Sequence, residues 1–127
     1  MSAPRVMIVE DEVVTSLLMA SVLTRQGFEI SGVVDDYDAA VELFEREKPD
    51  LVVMDVSIFG AIDGIDTARA LLDRRAVPIV FLTAYSDTDT MARIGALTPL
   101  GCLPKPFDTH QLVQLLRSAP AASAPSR

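Results

Sequence analysis

The chain has 127 residues, half of them hydrophobic, with a net charge of −7 and a single cysteine. This length allows one compact domain with a buried core and is too short for two. The acidic balance argues against nucleic-acid binding, which needs a basic face, and one cysteine excludes an intrachain disulfide. We find no signal peptide and no apolar stretch long enough to cross a membrane, so we expect a cytoplasmic protein.

The predicted elements alternate between strand and helix. An uninterrupted apolar run is typical of a parallel strand covered on both faces, and the clearest example is 51–54, which ends in Asp55. Helices are predicted where apolar residues recur every three or four positions. In chain order we predict strand 5–9, helix 13–26, strand 28–34, helix 37–48, strand 51–55, helix 65–75, strand 78–83, helix 88–96, strand 101–103 and helix 109–117.

The same apolar spacing predicts which side chains are buried. For the first helix, the predicted buried stripe is Val14, Leu17, Leu18 and Val22. For the second strand, the predicted packing residues are Phe28, Ile30, Val33 and Val34. The Ala-, Ser- and Pro-rich end has no core to join, so we predict a folded domain over residues 1–118 and a flexible tail over 119–127.

Five strand–helix pairs in succession predict an α/β fold in which a parallel sheet lies between two layers of helices. Crossovers between parallel strands are right-handed, which leaves few topologies. Five strands fit the doubly wound, flavodoxin-like order 2-1-3-4-5. The fifth strand is then an edge, where Pro104 is tolerated because an edge strand can spare an amide donor.

Polar residues follow four of the predicted strands at their carboxyl ends. They are Glu10 and Asp11 after the first strand, Asp55 in the third, Thr83 in the fourth and Lys105 after the fifth. Singly, each has an ordinary interpretation as a helix cap, turn residue, strand residue or solvated lysine. In the expected strand order, however, these strands are neighbours, so the side chains should meet at the edge where open α/β sheets bind ligands.

The chemistry of such a pocket follows from its groups. Clustered carboxylates repel one another unless a cation neutralises them, and Mg²⁺ suits them because it prefers oxygen ligands. A carboxylate beside Mg²⁺ can attack phosphorus to form an acyl phosphate. The transferring phosphoryl group needs positive charge and hydrogen-bond donors, which Lys105 and Thr83 would supply. The set is complete for an aspartyl-phosphate site.

Five short segments in chain order carry a family resemblance. The segments are Val9-Glu10-Asp11-Glu12, Met54-Asp55, Asp63-Gly64-Ile65, Leu82-Thr83-Ala84 and Lys105-Pro106-Phe107. Together they resemble the signature of response-regulator (CheY-like) receiver domains of two-component signalling, and the resemblance covers residues 5–117.

The resemblance implies a role for each site residue. Asp55 would accept a phosphoryl group from a histidine kinase or phosphotransfer protein. Thr83 would move towards that group, and Lys105 would pair first with Asp55 and then with the phosphate. The Lys105–Pro106 peptide is expected to be cis.

The resemblance also implies a magnesium site. Asp11, Asp55 and the backbone carbonyl of Ser57 would bind Mg²⁺ directly, and Glu10 would act through a metal-bound water. At most, slow self-catalysed phosphotransfer and dephosphorylation are expected rather than enzymatic turnover. The output would be altered binding of a downstream protein through residues 88–117, by a monomer or weak dimer.

Two departures from the family pattern bear on the switch. The family usually has an aromatic residue three positions before the lysine, where this chain has Cys102, and Tyr85 is a candidate substitute. The loop 57–64 lacks the usual proline and is one residue longer, which should turn Phe59 outward.

Three alternatives remain at this stage. The chain could be a receiver fragment of a larger hybrid kinase or regulator, or a pseudo-receiver that signals by binding alone. It could also be an aspartyl phosphohydrolase, although Ser57 stands where such enzymes need a second aspartate. A nucleotide-binding switch is disfavoured because no glycine-rich phosphate loop is present.

Overall fold

We analysed a computed structural model that describes residues 3–120 of the chain. Within this range, no helix combines the length and apolar character needed to cross a membrane. The elements are β1 (Arg5–Val9), α1 (Val13–Arg25), β2 (Glu29–Val34), α2 (Tyr37–Glu47), β3 (Leu51–Asp55), α3 (Gly64–Arg74), β4 (Ile79–Thr83), α4 (Thr88–Ala96), β5 (Gly101–Pro104) and α5 (Thr109–Arg117).

The five strands form one parallel sheet in the order β2-β1-β3-β4-β5. The predicted α/β topology is therefore confirmed, and no predicted element bound differs by more than one residue from the observed one. Register aligns the carboxyl ends of the central strands: Asp55 lies opposite Leu82, and Thr83 opposite Pro104. This alignment gathers the residues that follow each strand at one edge of the sheet.

Two apolar cores lie on opposite faces of the sheet, because alternate strand residues point to opposite sides. On one face, Met7, Val52, Met54 and Phe81 pack with α2, α3 and α4. On the other face, the intervening strand residues pack with α1 and α5. All five residues of β3 and of β4 are buried, as expected for strands covered on both sides.

Aspartate caps fix where four helices begin. The N-cap carboxylate accepts a hydrogen bond from a backbone amide in the first turn. The four capping residues, which begin α2, α3, α4 and α5, are Asp36, Asp63, Asp87 and Asp108.

The predicted buried stripe of α1 is wrong for three of its four residues, and only Val22 packs against the core, where it is partly buried. Val14 is 76% exposed and Leu17 and Leu18 are 65% and 51% exposed, while the helix buries Ser16, Met19 and Leu23. The reason is that α1 carries apolar residues nearly all the way round, so spacing alone does not select one face. The other side of the helix is the one that meets β1 and β2.

Two smaller expectations also need correction. Val33 was predicted to pack but is 44% exposed, because β2 is an edge strand, and the buried Phe28 precedes that strand rather than belonging to it.

The predicted tail falls from residue 121 onwards outside the described residues. Ala119, placed at its start, is partly buried against the α1–α5 core.

Candidate functional site

Three carboxylates converge at the carboxyl edge of the sheet. Glu10 and Asp11 follow β1, and Asp55 ends β3, the neighbouring strand. One carboxylate oxygen from each residue lies within 4.8 Å of the others. Glu10 and Asp55 are only 3% and 2% exposed, so two of the three charges are held away from bulk water.

Lys105 enters the same cluster from the loop after β5. Its Nζ lies 3.0 Å from Asp55 Oδ2 and 3.3 Å from Glu10 Oε1. The backbone position of the lysine is fixed by its amide, which donates to the Thr83 carbonyl at 2.8 Å. The Lys105–Pro106 peptide is cis. One ammonium is therefore shared by two buried carboxylates.

The electrostatics of the cluster shift two of these groups. Burial, reinforced by the neighbouring Asp55 carboxylate, raises the pKa of Glu10 to about 7. Burial alone would lower the pKa of Lys105, but its hydrogen bond and charge pairing with Asp55 and Glu10 raise it above its usual value. The lysine is therefore fully charged at neutral pH, but its single positive charge does not neutralise the cluster of three carboxylates.

This cluster fits a hard divalent cation. Within residues 3–120, Glu10 Oε1 is buried and accepts no hydrogen bond, its nearest cation being the Lys105 ammonium at 3.3 Å. The oxygen donors of three carboxylates are of the type that Mg²⁺ prefers. Ser57 is exposed directly beside the cluster, and its amide donates to Asp55 Oδ1 at 3.0 Å. The donor set can therefore hold Mg²⁺.

Gly64 packs directly against the backbone of Asp55. The Gly64 amide donates to the Val56 carbonyl at 2.8 Å. A Cβ atom at this position would lie 1.9 Å from the Asp55 carbonyl oxygen, which is far inside contact distance. Only glycine therefore allows the start of α3 to pack against the end of β3.

Thr83 ends β4 beside this cluster and is 4% exposed. Its hydroxyl accepts from the Tyr85 amide at 2.9 Å and donates to the Tyr85 carbonyl at 3.2 Å. Among the residues described, its hydrogen bonds thus stay within its own loop and none reaches Asp55. The Tyr85 ring is 54% exposed.

Comparison with known proteins identifies the family. The model of the response regulator receiver domain matches residues 6–117. The chain belongs to this receiver family. The receiver is 41% identical over 115 residues to the transcriptional regulatory protein PdtaR of Mycobacterium tuberculosis, covering 91% of this chain and 56% of that protein. It is 31% identical to PhoB of Rhizobium meliloti, covering 91% and 51%. The receiver therefore spans about half the length of these relatives.

Solved structures agree on the fold. The signal receiver domain of a modulated diguanylate cyclase from Desulfovibrio desulfuricans superposes with a TM-score of 0.86 at 31% identity, covering 93% of this chain and 94% of that one. The BeF3-activated N-terminal receiver domain of RstA from Klebsiella pneumoniae superposes at 0.80 and 28% identity, covering 89% and 95%. The order of strands is thus that of a receiver domain of two-component signalling.

Local departures from the family pattern have clear structural positions. Cys102 lies in β5 opposite Phe81 and is half-buried against the α2–α4 core. Phe59 is 57% exposed, as expected from the longer loop, and its amide donates to the Asp35 carbonyl at 3.2 Å. The Tyr85 ring points outward here, so its suggested substitution for the missing aromatic stays a prediction.

Two residues near the site were missed by sequence reasoning. Gly64 lies in the segment Asp63-Gly64-Ile65 that resembles the family signature, but nothing in the sequence shows that it packs against the backbone of Asp55. Arg93 on α4 forms two hydrogen bonds with Asp63, the residue before Gly64. No sequence signal marks Arg93, because its partner lies 30 residues away and is brought close only by the fold.

Proposed function

We propose that Asp55 is the phosphoacceptor of this receiver and takes a phosphoryl group from a histidine kinase or a phosphotransfer protein. The observation that carries the proposal is the convergence of Lys105, Glu10 and Asp11 on the buried Asp55 carboxylate. Receiver domains are in general phosphoacceptors, which supports this assignment.

The reaction needs few groups from the protein. An Asp55 carboxylate oxygen forms a bond to phosphorus while the bond between phosphorus and the donor breaks, and its electron pair leaves with the donor. The product is an acyl phosphate. Lys105, already within 3.0 Å of Asp55, is placed to balance the charge on the phosphoryl oxygens.

Mg²⁺ would be held by Asp11, Asp55 and the carbonyl of Ser57, with Glu10 acting through a bound water. When bound, the cation neutralises the clustered carboxylates and the incoming phosphoryl charge. The protein's own contribution is to hold these oxygens together on adjacent, rigid strand ends.

Thr83 would turn its hydroxyl from the Tyr85 carbonyl to a phosphoryl oxygen. The hydroxyl is bonded to the Tyr85 backbone, so this change would break contacts that hold the β4–α4 loop in its present position. Whether Tyr85 replaces the missing aromatic at Cys102 can then be read from the movement of its exposed ring.

The wider role follows from these assignments. We propose a cytoplasmic signalling module over residues 1–118 with a tail over 119–127, which passes its signal to a downstream protein through residues 88–117 rather than by enzymatic turnover. A monomer or weak dimer suffices for this role. Because the receiver spans about half of its relatives, the downstream surface could equally lie in a longer protein that contains it.

The test is intact mass spectrometry after incubation with acetyl phosphate and Mg²⁺. We expect the mass of one phosphoryl group in the wild-type chain and in Asp38→Asn, a matched change at an exposed α2 position, and none in Asp55→Asn. Absence of an adduct in all three chains would refute phosphotransfer and favour a receiver that acts by binding alone.

A further inference from the structure

Helix α4 is weakly anchored to the rest of the receiver. Of its nine residues only Ile94 is buried, whereas α3 buries five. The helix directly follows the loop that carries Tyr85, and Asp87 at the end of that loop caps it. A helix with so little buried surface depends on its remaining contacts for its position.

Arg93 supplies a contact of this kind to α3. Its guanidinium donates to both oxygens of Asp63, at 2.9 and 3.1 Å, and lies 3.3 Å from Asp66 Oδ1. This bidentate geometry fixes the orientation of the guanidinium relative to the carboxylate as well as the distance between them. Burial alone would raise the pKa of Asp63, but its hydrogen bonds from Arg93 and the Asp66 amide lower it below its usual value, so the pair is charged.

This ion pair is joined directly to the site. Asp63 caps α3 and precedes Gly64, whose position against the Asp55 carbonyl leaves no room even for a Cβ atom. On the other side, four residues separate Thr83 from the start of α4. Arg93 therefore connects the segment that supports Asp55 with the helix that follows Thr83.

We propose that Arg93 is a positioning residue whose pairing with Asp63 and Asp66 holds α4 in the unphosphorylated arrangement. The inference rests on the proposed function. In this arrangement the Thr83 hydroxyl donates to the Tyr85 carbonyl, a bond that it must give up to reach a phosphoryl oxygen. Releasing α4 makes that change easier, so loss of the ion pair favours phosphorylation.

The first experiment measures the initial rate of phosphoryl incorporation from acetyl phosphate and Mg²⁺, a small donor that needs no docking surface. We expect Arg93→Ala to raise the rate by up to about fivefold, the factor that corresponds to a half-exposed ion pair. Arg93→Lys should lie between Arg93→Ala and the wild type. Arg69→Ala is the matched control, because it removes the other arginine that pairs with Asp66 and leaves the two hydrogen bonds between Arg93 and Asp63 in place.

A double-mutant cycle separates coupling from general destabilisation. Asp63→Asn removes the partner charge and keeps an oxygen that caps α3, so it should raise the rate like Arg93→Ala, and the double variant should be no faster than either. Equal rates in the wild type, Arg93→Ala and Arg69→Ala, or additive effects in the cycle, would overturn the inference while leaving the proposed function intact. A wild-type chain that takes up no phosphoryl group would overturn both.

Discussion

Gly64 shows how tightly single residues are constrained around the proposed phosphoacceptor. Substitution by alanine would place Cβ against the Asp55 carbonyl, so the start of α3 or the end of β3 must shift. We expect Gly64→Ala to reduce the free energy of unfolding in urea by about 1–3 kcal/mol and to slow phosphoryl uptake.

The control for this substitution is Gly95→Ala. Gly95 lies inside α4, and a Cβ atom there meets nothing within 4 Å. Because alanine favours helix, we expect this variant to be more stable than the wild type by about 0.5–1 kcal/mol. Equal stability of Gly64→Ala and the wild type would show that the chain tolerates a side chain beside Asp55.

At the residue scale, the sequence predicts which side chains lie close together when a simple rule of the fold brings them there. Glu10, Asp55 and Lys105 could be placed together because parallel strands deliver their last residues to one edge. The pairing of Arg93 with Asp63 could not be predicted, because it depends on the angle at which α4 packs. Strand order says nothing about that angle.

At the element scale, the orientation of α1 makes a clear prediction. Leu17 is 65% exposed and Met19 is fully buried. We expect Leu17→Gln to change the free energy of unfolding by less than about 0.5 kcal/mol and Met19→Ala to lower it by about 2–5 kcal/mol. Urea denaturation of both variants measures this difference, and the reverse order would restore the stripe expected from spacing.

The ion pair between α3 and α4 predicts how Asp63 titrates. Its hydrogen bonds hold its pKa below the usual 3.8, so its contribution to stability is complete above that pH and is lost as the pH falls through the folded-state pKa. Carboxyl-carbon NMR should therefore give a midpoint below 3.8 that rises in Arg93→Ala. An unchanged midpoint in that variant would mean that the ion pair is absent in solution.

The elements differ in how well sequence predicts them, for a physical reason. Strands covered on both faces need only be apolar, so β3 and β4 were identifiable without knowing what covers them. Helix α1 has apolar side chains on both sides, and only the position of the sheet decides which side is buried. The spacing of apolar residues alone predicted that the face now seen to be exposed would be buried.

At the scale of the whole molecule, Mg²⁺ binding should stabilise the fold. A cation that binds only the folded cluster adds about 1.4 kcal/mol at ten times its dissociation constant. We expect the thermal midpoint to rise with Mg²⁺ and to return when a chelator removes it. Asp11→Asn should greatly weaken this response, and an equal response in that variant would place the cation elsewhere.

The overall topology was predictable because alternation, handedness and strand number leave few arrangements. Partners are a different matter. They depend on exposed side chains, such as Met91 in the proposed downstream surface over residues 88–117, which no folding rule constrains. The downstream target must therefore come from binding experiments with the phosphorylated and unphosphorylated chain.

The most direct measurement is to locate the phosphoryl group in the chain. After treatment with acetyl phosphate and Mg²⁺, reduction with borohydride converts an aspartyl phosphate to homoserine, which peptide mass mapping can assign. We predict homoserine at position 55 and nowhere else. Homoserine at another aspartate, such as Asp11, or no homoserine at all, would contradict the account.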